Sequence, residues 1–320
     1  MNSYIEILST LFRDIEHDLG TRDLNNLTLK AFETTVKQSK MKTLEEFCEK
    51  FKELLRSIKS TQPRFSIIIE HFYKLHEYIY NFSKKHPDMP WQDAKQKLIA
   101  HINELSKEDR REKKHLLEQT KKIDVEGKTI LIFDHSHTVQ DALGLLWKDG
   151  QKFKVIVAEQ DIEKTETIIE ALESNGIPFQ VVPSYMLSHL DEQIDILFFG
   201  AVTFKNDYNF VMDPGSAPII AEFHLNKKPT YMFMTTSKFA LWKSQPRHGV
   251  FAHKHRRKHT KKSIFFERLK FSHDRVSLDF FTHIVTEAGI ITPNQFKKIY
   301  DEKYEERTKW REIFFEKEAE

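Results

Sequence analysis

The chain has 320 residues, of which 39% are hydrophobic and 31% charged, and its formal net charge is +2. This apolar share is large enough for packed cores and too large for a disordered chain. The near-neutral charge argues against a diffuse nucleic-acid footprint, so any basic function must be local. The single cysteine, Cys48, excludes a disulfide framework and leaves almost no basis for a cysteine zinc site.

Targeting segments, membrane segments and common cofactor motifs are missing from the sequence. The N-terminus lacks the basic start and continuous apolar core of a signal peptide. No uninterrupted apolar stretch reaches about 18 residues, as a spanning helix requires. Only 9 glycines are present, and neither the G-x-G-x-x-G nor the P-loop pattern occurs. We therefore expect a cytoplasmic protein with no membrane association, no metal and no cofactor.

The first part of the chain, residues 1–125, predicts a helical domain. Apolar residues recur at helical spacing from Ile7 to Leu19. Thr43 and Glu46 form a predicted capping box before a second helix. A third helix is predicted after Pro63, and the segment HPDMPW separates it from a fourth that starts near Asp93. The charged end of this last helix, SKEDRREKKHLLEQTKK, predicts a solvated face with i,i+4 pairs rather than a binding surface.

From Gly127 onward, short β-rich runs alternate with helical stretches. The runs are TILIF, KVIVA, FQVV, DILFF and TYMFM. Such alternation predicts a parallel sheet with crossover helices, and continuous apolar runs indicate strands that are buried on both faces. We therefore predict the α/β fold class, with the helical domain 1–125 followed by a Rossmann-like parallel-sheet domain over 126–320.

Ligands of open parallel sheets bind beyond the carboxyl ends of the strands. The segments at these ends are His135–Thr138, Glu159–Asp161, Gly200–Thr203 and Met234–Ser237. His135, Ser136 and His137 follow the first strand and are candidates for a pocket that binds the phosphate of a sugar or nucleotide. The alternative is a histidine that caps or hydrogen-bonds a turn.

Gly215 and Ser216 precede a predicted helix and form a second candidate ligand site. Their backbone N–H groups could bind an anion, because the N-terminus of a helix carries a partial positive charge. The alternative is an ordinary helix start with Ser216 as the cap. Asp213 would repel an anion at this position.

The most basic segment is RHGVFAHKHRRKHTKKSIFFERLK, in which nine of the ten residues from His253 to Lys262 are His, Arg or Lys. Such density can neutralise phosphates, and its charge rises as the histidines protonate below about pH 6.5. An anionic partner, either RNA or an acidic protein face, would bind His253, Lys254, His255, Arg256, Arg257, Lys258 and His259. The alternatives are a solvated, exposed loop and a metal site formed by the histidines. The run contains no Asp, Glu or Cys that could complete such a metal site.

Several segments between residues 129 and 293 follow the order of one known family. They are TILIFDHSHTV, KVIVAEQDIEKTETIIEALESNGIPFQVVPSYML, DILFFGAVTF, PGSAPIIAEFHLNKKPTYMF and FFTHIVTEAGIITP. They resemble the family's histidine-serine turn, its L-x-x-x-G-I-P segment, its G-A-D strand end, its glycine-threonine turn and its I-x-T-E-x-G-I-x-x-P segment. This family comprises the alpha, beta and delta regulatory subunits of translation initiation factor 2B, together with methylthioribose-1-phosphate isomerase and ribose-1,5-bisphosphate isomerase.

The same resemblance marks four departures from the isomerases. At the positions of their cysteine after the first strand and their aspartate in G-A-D, this chain has Ser136 and Val202. A family lysine near the glycine-threonine turn is matched by Asp213. The arginine of a phosphate-binding turn is matched by Gln62, with Arg64 two residues on. Because the isomerisation moves protons between sugar carbons, it needs positioned acid and base groups. The departures predict that the protein is not an enzyme.

The resemblance implies a function through protein–protein interaction. We expect a non-catalytic initiation factor 2B-like protein with a translation-factor partner, and a homodimer formed through the α/β domain as in the family. Four aromatic residues near the C-terminus are candidates for exposed contacts, and they are Phe265, Phe266, Phe280 and Phe281. The alternatives are a sensor that binds a sugar phosphate or nucleotide without turnover, and an isomerase with a rearranged site.

Overall fold

The computed structural model describes residues 3–61, 63–133, 136–159, 162–243, 255–256, 267–268 and 273–314. The chain forms two compact units. The helical unit comprises Met1–His115, Thr235–Phe239 and Glu305–Glu320, and the α/β unit comprises Leu116–Met234 and Ala240–Tyr304. An N-terminal helical region followed by a mostly parallel sheet confirms the predicted fold class. The domain boundary between residues 125 and 126 stays a prediction.

The secondary structure of the described residues alternates as the sequence pattern predicts. The helices are α1 Ser3–Gln38, α2 Leu44–Lys59, α3 Ser66–Lys85, α4 Trp91–Thr120, α5 His137–Lys148, α6 Ile162–Ser174, α7 Ser216–Leu225 and α8 Pro293–Phe314. The strands are β1 Thr129–Ile132, β2 Lys154–Glu159, β3 Phe179–Pro183, β4 Ile196–Gly200, β5 Thr203–Phe204, β6 Asn209–Met212, β7 Thr230–Phe233, β8 His255–Arg256, β9 Glu267–Arg268, β10 Asp274–Ser277, β11 His283–Thr286 and β12 Gly289–Ile291. None of these helices has an apolar stretch that could cross a bilayer.

Local signals determine where the first helices begin and bend. Thr43 Oγ1 accepts a hydrogen bond from the Glu46 N–H at 3.1 Å and caps α2, as predicted. The Glu46 carboxylate accepts from the Lys42 N–H at 3.0 Å, whereas a reciprocal capping box would use the Thr43 N–H. Helix α1 bends at Gly20, whose φ of 77° and ψ of 164° are not helical. Glycine adopts such angles without the steric cost of a Cβ.

Aromatic side chains build the core of the helical unit. Phe51 stacks on Phe72 with ring centroids 5.9 Å apart, and Phe32 packs against both rings at 5.3 and 5.4 Å. Phe47 packs on Trp91 at 5.1 Å. All five side chains are buried, and the burial of each large apolar side chain contributes about 2–3 kcal/mol.

The charged second half of α4 is not uniformly solvated, so the prediction of a solvated face was wrong in this respect. Asp109 is 0% exposed, and its Oδ1 lies 2.5 Å from Arg22 Nη1. Leu116 and Thr120 of the same helix are also buried. A count of charges averages over all faces of a helix, whereas burial depends on what packs against each face.

A seven-stranded sheet forms the α/β unit, with strand order β12-β11-β7-β4-β1-β2-β3. All neighbouring strands are parallel except the β11–β12 hairpin. The five predicted runs are β1, β2, β3, β4 and β7, which confirms the parallel arrangement. Every residue of β4 is buried, as its continuous apolar run predicts. Because β1 lies between β4 and β2, their carboxyl ends share one edge of the sheet.

Two small antiparallel sheets, β10-β6-β5 and β8-β9, are not predicted by the sequence pattern. In the first, Phe210 packs between Phe204 at 4.8 Å and Phe281 at 4.9 Å, measured between ring centroids. Tyr300 of α8 packs on Phe204 at 5.0 Å, and its hydroxyl donates to the Ala240 carbonyl at 2.7 Å. These strands are two to four residues long, which is too short for an alternating pattern to be recognised.

Of the four aromatic residues proposed as dimer contacts, the structure describes Phe280 and Phe281, and neither is fully exposed. Phe281 is 3% exposed, so its assignment to an exposed contact was wrong. The reason is its packing against Phe210, which places it in the core. Phe280 is half-buried beside His224. Phe265 and Phe266 lie outside the described residues.

Candidate functional site at the carboxyl edge of the sheet

Ser136 lies just beyond β1 and caps helix α5. Its Oγ accepts a hydrogen bond from the Val139 N–H at 3.4 Å, and its carbonyl accepts from the Gln140 N–H at 2.9 Å. The same side chain packs against the end of β4, because a Cβ at position 200 would lie only 2.1 Å from Ser136 Oγ. Gly200 is therefore required for this close approach of β4 to the start of α5.

Val202 lies two residues beyond Gly200 and is the residue that the sequence resemblance aligns with the isomerases' aspartate. Its N–H donates to the Val211 carbonyl at 2.9 Å, which places Val202 beside the β5–β6 pair. The side chain is half-buried, and the neighbouring Ala201 is 6% exposed. An aliphatic side chain can neither take up nor release a proton, so this position supplies no acid or base.

The start of α7 is closed by a carboxylate from β10. Gly215 has a φ of +101°, and a Cβ there would lie 2.7 Å from Phe133 Cζ, so only glycine fits. The N–H groups of Gly215 and Ala217 both donate to Asp274 Oδ2, at 2.9 and 3.0 Å. A carboxylate at the N-terminus of a helix is favourable because of the partial positive charge there. An anionic ligand at this turn would have to displace Asp274.

The backbone N–H and the side-chain hydroxyl of Ser216 differ in their hydrogen bonding. Its N–H donates to the Asp213 carbonyl at 3.1 Å. Its side chain is 0% exposed, and its Oγ has no hydrogen-bond partner among the described residues. The predicted capping role of Ser216 is instead taken by Asp274, since the residue preceding α7 is Gly215.

The charge of Asp213 is balanced by Lys164 of α6. The two side chains form an ion pair and are 20% and 18% exposed. The predicted repulsion between Asp213 and an anion is therefore offset by a neighbouring cation. Lys164 thus brings an ammonium group to Asp213, the position that the sequence resemblance matches with a family lysine.

Of the two histidines that are predicted to bind a ligand, the structure describes only His137. His137 is the first residue of α5 and is half-buried, whereas His135 lies outside the described residues. The edge thus brings together Ser136, Gly200 and the start of α5. The predicted role of His135, Ser136, His137, Gly215 and Ser216 in ligand binding stays a prediction.

Sequence reasoning missed three residues that shape this edge. Asp274 follows Gly215 by 59 positions, and Lys164 precedes Asp213 by 49 positions. Phe133 is an apolar residue at a strand end, next to TILI. No local motif marks such residues, because their roles depend on long-range contacts. In the part of the chain that the structure describes, no group of three or more His, Cys, Asp or Glu side chains could hold a metal ion.

The basic stretch lies almost entirely outside the described residues. This applies to His253, Lys254, Arg257, Lys258 and His259. The exceptions are His255 and Arg256, which form β8 and pair antiparallel with β9, Glu267–Arg268. Where the sequence predicts a loop, the described backbone therefore includes a short strand pair. Binding of an anionic partner by this stretch stays a prediction.

The chain has a helical region followed by a mostly parallel sheet, and ligands of such sheets usually bind at the carboxyl ends of strands such as β1 and β4. This architecture defines a Rossmann-like α/β protein with an N-terminal helical unit. The family model described as the initiation factor 2 subunit family matches residues 20–293. The chain belongs to this family, as the resemblance predicts. No curated protein matches the sequence.

Solved structures with the same fold include initiation factor 2B proteins and an isomerase. The translation initiation factor eIF-2B from Pyrococcus horikoshii is 18% identical, with a TM-score of 0.67 over 86% of this chain and 91% of its own. The tetrameric complex of eIF2B beta and delta from Chaetomium thermophilum contains a chain that is 15% identical, with a TM-score of 0.71 over 94% of both chains. The 5-methylthioribose 1-phosphate isomerase from P. horikoshii is 14% identical, with a TM-score of 0.65 over 92% of this chain and 87% of its own. At these identities the likeness concerns the fold alone.

Proposed function

We propose that this protein is a non-catalytic initiation factor 2B-like protein that acts through protein–protein interaction in a translation-factor-like assembly. The observation that carries the proposal is Val202 at the position of the isomerases' aspartate. Aldose–ketose isomerisation needs a positioned group that transfers protons, and a valine has none at any pH. Replacement of the aspartate by a valine removes the acid or base of the reaction, even if the other residues at the carboxyl edge of the sheet are retained.

Ser136 supports the same conclusion. A thiol at this position would be partly ionised near neutral pH, whereas a serine hydroxyl needs an adjacent base to become reactive. The Ser136 hydroxyl already accepts the Val139 N–H at 3.4 Å and packs tightly against Gly200. Its placement is that of a helix cap, and a cap is a sufficient reason for a serine at this position.

A coupled isomerase assay tests the absence of catalysis. The wild-type protein should not turn over methylthioribose-1-phosphate or ribose-1,5-bisphosphate above the background without protein. Turnover that disappears in the Ser136→Ala variant would overturn the proposal. The matched control is Ser174→Ala. It removes a hydroxyl that donates a hydrogen bond to the Ala171 carbonyl on an exposed part of α6.

The assembly part of the proposal has its own tests. The C. thermophilum structure is a tetrameric complex of two kinds of subunit, and a two-fold interface is the most frequent one in oligomers. We expect a homodimer through the α/β unit, so light scattering should give twice the chain mass of 38.1 kDa. A single species of 38.1 kDa would contradict it. Affinity purification from the native cell should recover a translation-factor partner.

A second candidate function is a sensor that binds a sugar phosphate or nucleotide. The observation in its favour is the buried Ser216 Oγ, which has no partner among the described residues and lies beside Gly215. The Asp274 carboxylate opposes it, because it occupies the nearby N–H groups. A ligand at 100 times its dissociation constant should stabilise the protein by about 2.7 kcal/mol. A thermal-shift panel without any hit at millimolar concentration would remove this candidate.

The basic stretch has a separate proposed role in contacting an anionic partner. Replacement of Arg256, Arg257 and Lys258 by Ala should weaken binding of RNA or of an acidic protein. Binding should also fall steeply with salt concentration, because it releases counterions from the phosphates. Unchanged affinity in this triple variant would assign the stretch to a solvated loop instead.

A further inference from the structure

The end of helix α6 is followed by the pair Asn175–Gly176, and no other asparagine of the chain precedes a glycine. Asparagine is one of the thermally labile residues of proteins. Its side-chain amide can be attacked by the backbone nitrogen of the next residue. Glycine leaves this nitrogen the most accessible, because it has no side chain to shield it. The pair therefore has the chemistry of a deamidation site.

The folded chain holds this pair in the turn that ends α6. Gly176 has a φ of +68°, and its N–H donates to the Glu173 carbonyl at 2.9 Å. The Ile177 N–H donates to the Leu172 carbonyl at 3.0 Å. These two hydrogen bonds and the left-handed glycine form a Schellman motif. Ile177 and Leu172 are both buried in the core of the α/β unit, so the motif is anchored by packing as well.

The Asn175 side chain is in contact with two helices. Its Nδ2 donates to the Ala171 carbonyl at 2.8 Å, one turn back on α6. Its Oδ1 lies against Gly144 of α5, where an added Cβ would be 3.2 Å away. Because the amide is bonded to α6 and the Gly176 N–H is already donated, the attack requires the end of α6 to open first. Helix ends open at a lower free energy than the core.

We infer that Asn175 deamidates spontaneously at a rate controlled by opening of the end of α6, and that the product loosens α6 from α5. In the first step, the Gly176 nitrogen forms a bond to Cγ of Asn175. The amide nitrogen leaves as ammonia and carries away the proton of the Gly176 N–H. Solvent water then opens the cyclic succinimide to aspartate or isoaspartate. No atom is oxidised or reduced, so the reaction requires only water.

The product cannot restore the turn that ends α6. An aspartate at position 175 has no N–H for the Ala171 carbonyl, so two acceptor oxygens would face each other. Its negative charge is also unfavourable at the C-terminus of a helix, which carries a partial negative charge. Isoaspartate adds a carbon atom to the main chain, which shifts the hydrogen bonds of the Schellman motif out of register. Opening of the turn therefore becomes permanent in the modified chain.

This inference is independent of the proposed function. Asn175 lies between α6 and β3, at the amino edge of the sheet, whereas Ser136 and Val202 follow the carboxyl ends of β1 and β4. Deamidation changes the packing of α6 on α5, and it needs no ligand, partner or catalytic group. If the inference fails, the proposal of a non-catalytic protein is unaffected.

Incubation of the full chain at mildly alkaline pH, followed by proteolytic digestion and mass spectrometry, tests the reaction. In urea, Asn175 should convert to aspartate and isoaspartate, and ammonia should be released in equal amount. Under native conditions the conversion should be about tenfold or more slower, because the end of α6 must open first. Gly176→Ala should suppress the conversion in urea, because the methyl group shields the backbone nitrogen.

Asn226 is the matched control within the same chain. It follows α7 as Asn175 follows α6, but the next residue is Lys227. Asn226 should therefore remain an amide in the same digest. Lys227 has a φ of +58°, which glycine adopts readily. The Lys227→Gly variant should make Asn226 convert in urea as Asn175 does.

Asn175→Asp reproduces one product of the reaction, and Asn226→Asp is its control. Both variants place a negative charge at the end of a helix. Asn175→Asp should lower the Tm further, because Asn175 also bonds to Ala171 and packs against Gly144. The inference is overturned if Asn175 stays intact in urea, if the native chain converts as fast as the unfolded one, or if the two Asp variants are equally stable.

Discussion

The charged groups of the two units find partners to different degrees. At the sheet edge of the α/β unit, Asp274 accepts from two backbone N–H groups and Asp213 pairs with Lys164. In the helical unit, Asp109 Oδ2 and Arg64 Nε are buried without hydrogen-bond partners among the described residues. The edge at which ligands usually bind is thus largely closed by the chain's own side chains. Among the described residues, more of the buried polar atoms without a hydrogen-bond partner lie in the helical unit, although Ser216 Oγ at the sheet edge and Asp191 Oδ1 also have none.

The largest effect is expected where a charge is buried with one strong partner. Asp109→Ala removes the partner of Arg22, whose side chain is 13% exposed. Breaking a buried ion pair from one side typically costs about 3–5 kcal/mol, because the other charge stays buried. Urea unfolding measures the loss. Glu104→Ala, at a half-exposed position on the same helix, should change stability little, and an equal loss in both variants would refute the assignment.

At the sheet edge, the tight contact between Gly200 and Ser136 can be tested directly. A methyl group at position 200 would lie 2.1 Å from Ser136 Oγ, and such overpacking costs about 1–3 kcal/mol. Replacing Ser136 by Gly removes both atoms nearest to that methyl group. The double variant Ser136→Gly, Gly200→Ala should therefore cost less than the sum of the single variants. Simple additivity would mean that the strain arises elsewhere.

The helical unit should lose stability in acid through His76. Burial lowers the pKa of His76 from 6.5 to about 4, so the unfolded chain binds this proton more readily than the folded one. Stability is then complete above pH 6.5 and falls as the pH decreases towards 4, by up to about 2 kcal/mol at pH 5. His76→Phe should flatten this dependence. Burial also lowers the pKa of His71, and this residue accounts for a residual slope in the variant.

The smallest effect is expected at the cap of α7. Asp274→Ala leaves two N–H groups without their acceptor, and loss of a helix cap costs about 1 kcal/mol. Asp274→Asn keeps an acceptor oxygen and should fall between the wild type and Ala. If the Asp274→Ala variant also binds phosphate at the start of α7, the Asp274 carboxylate is what prevents anion binding there in the wild type. A gain in stability in Asp274→Ala would contradict its role as a cap.

Much of the fold could be predicted from short-range patterns. The five apolar runs became parallel strands because each run is long enough to be buried on both faces, as in β4. Thr43 caps α2 because a side-chain oxygen three residues before a free N–H is a local arrangement. The short strands β5, β6 and β10 have no such local signal. Their pairing depends on Phe210 and its neighbours in space.

The sequence by itself determined the fold class, the family and the absence of a proton-transferring side chain at Val202. These depend on residue identity and on spacing within one element. Only the tertiary structure decided that Asp274 closes α7, that Lys164 neutralises Asp213 and that Arg22 pairs with Asp109. The physical reason is that electrostatic and hydrogen-bond energies depend on distances between atoms. The packing of the chain sets those distances between residues that are tens to hundreds of positions apart.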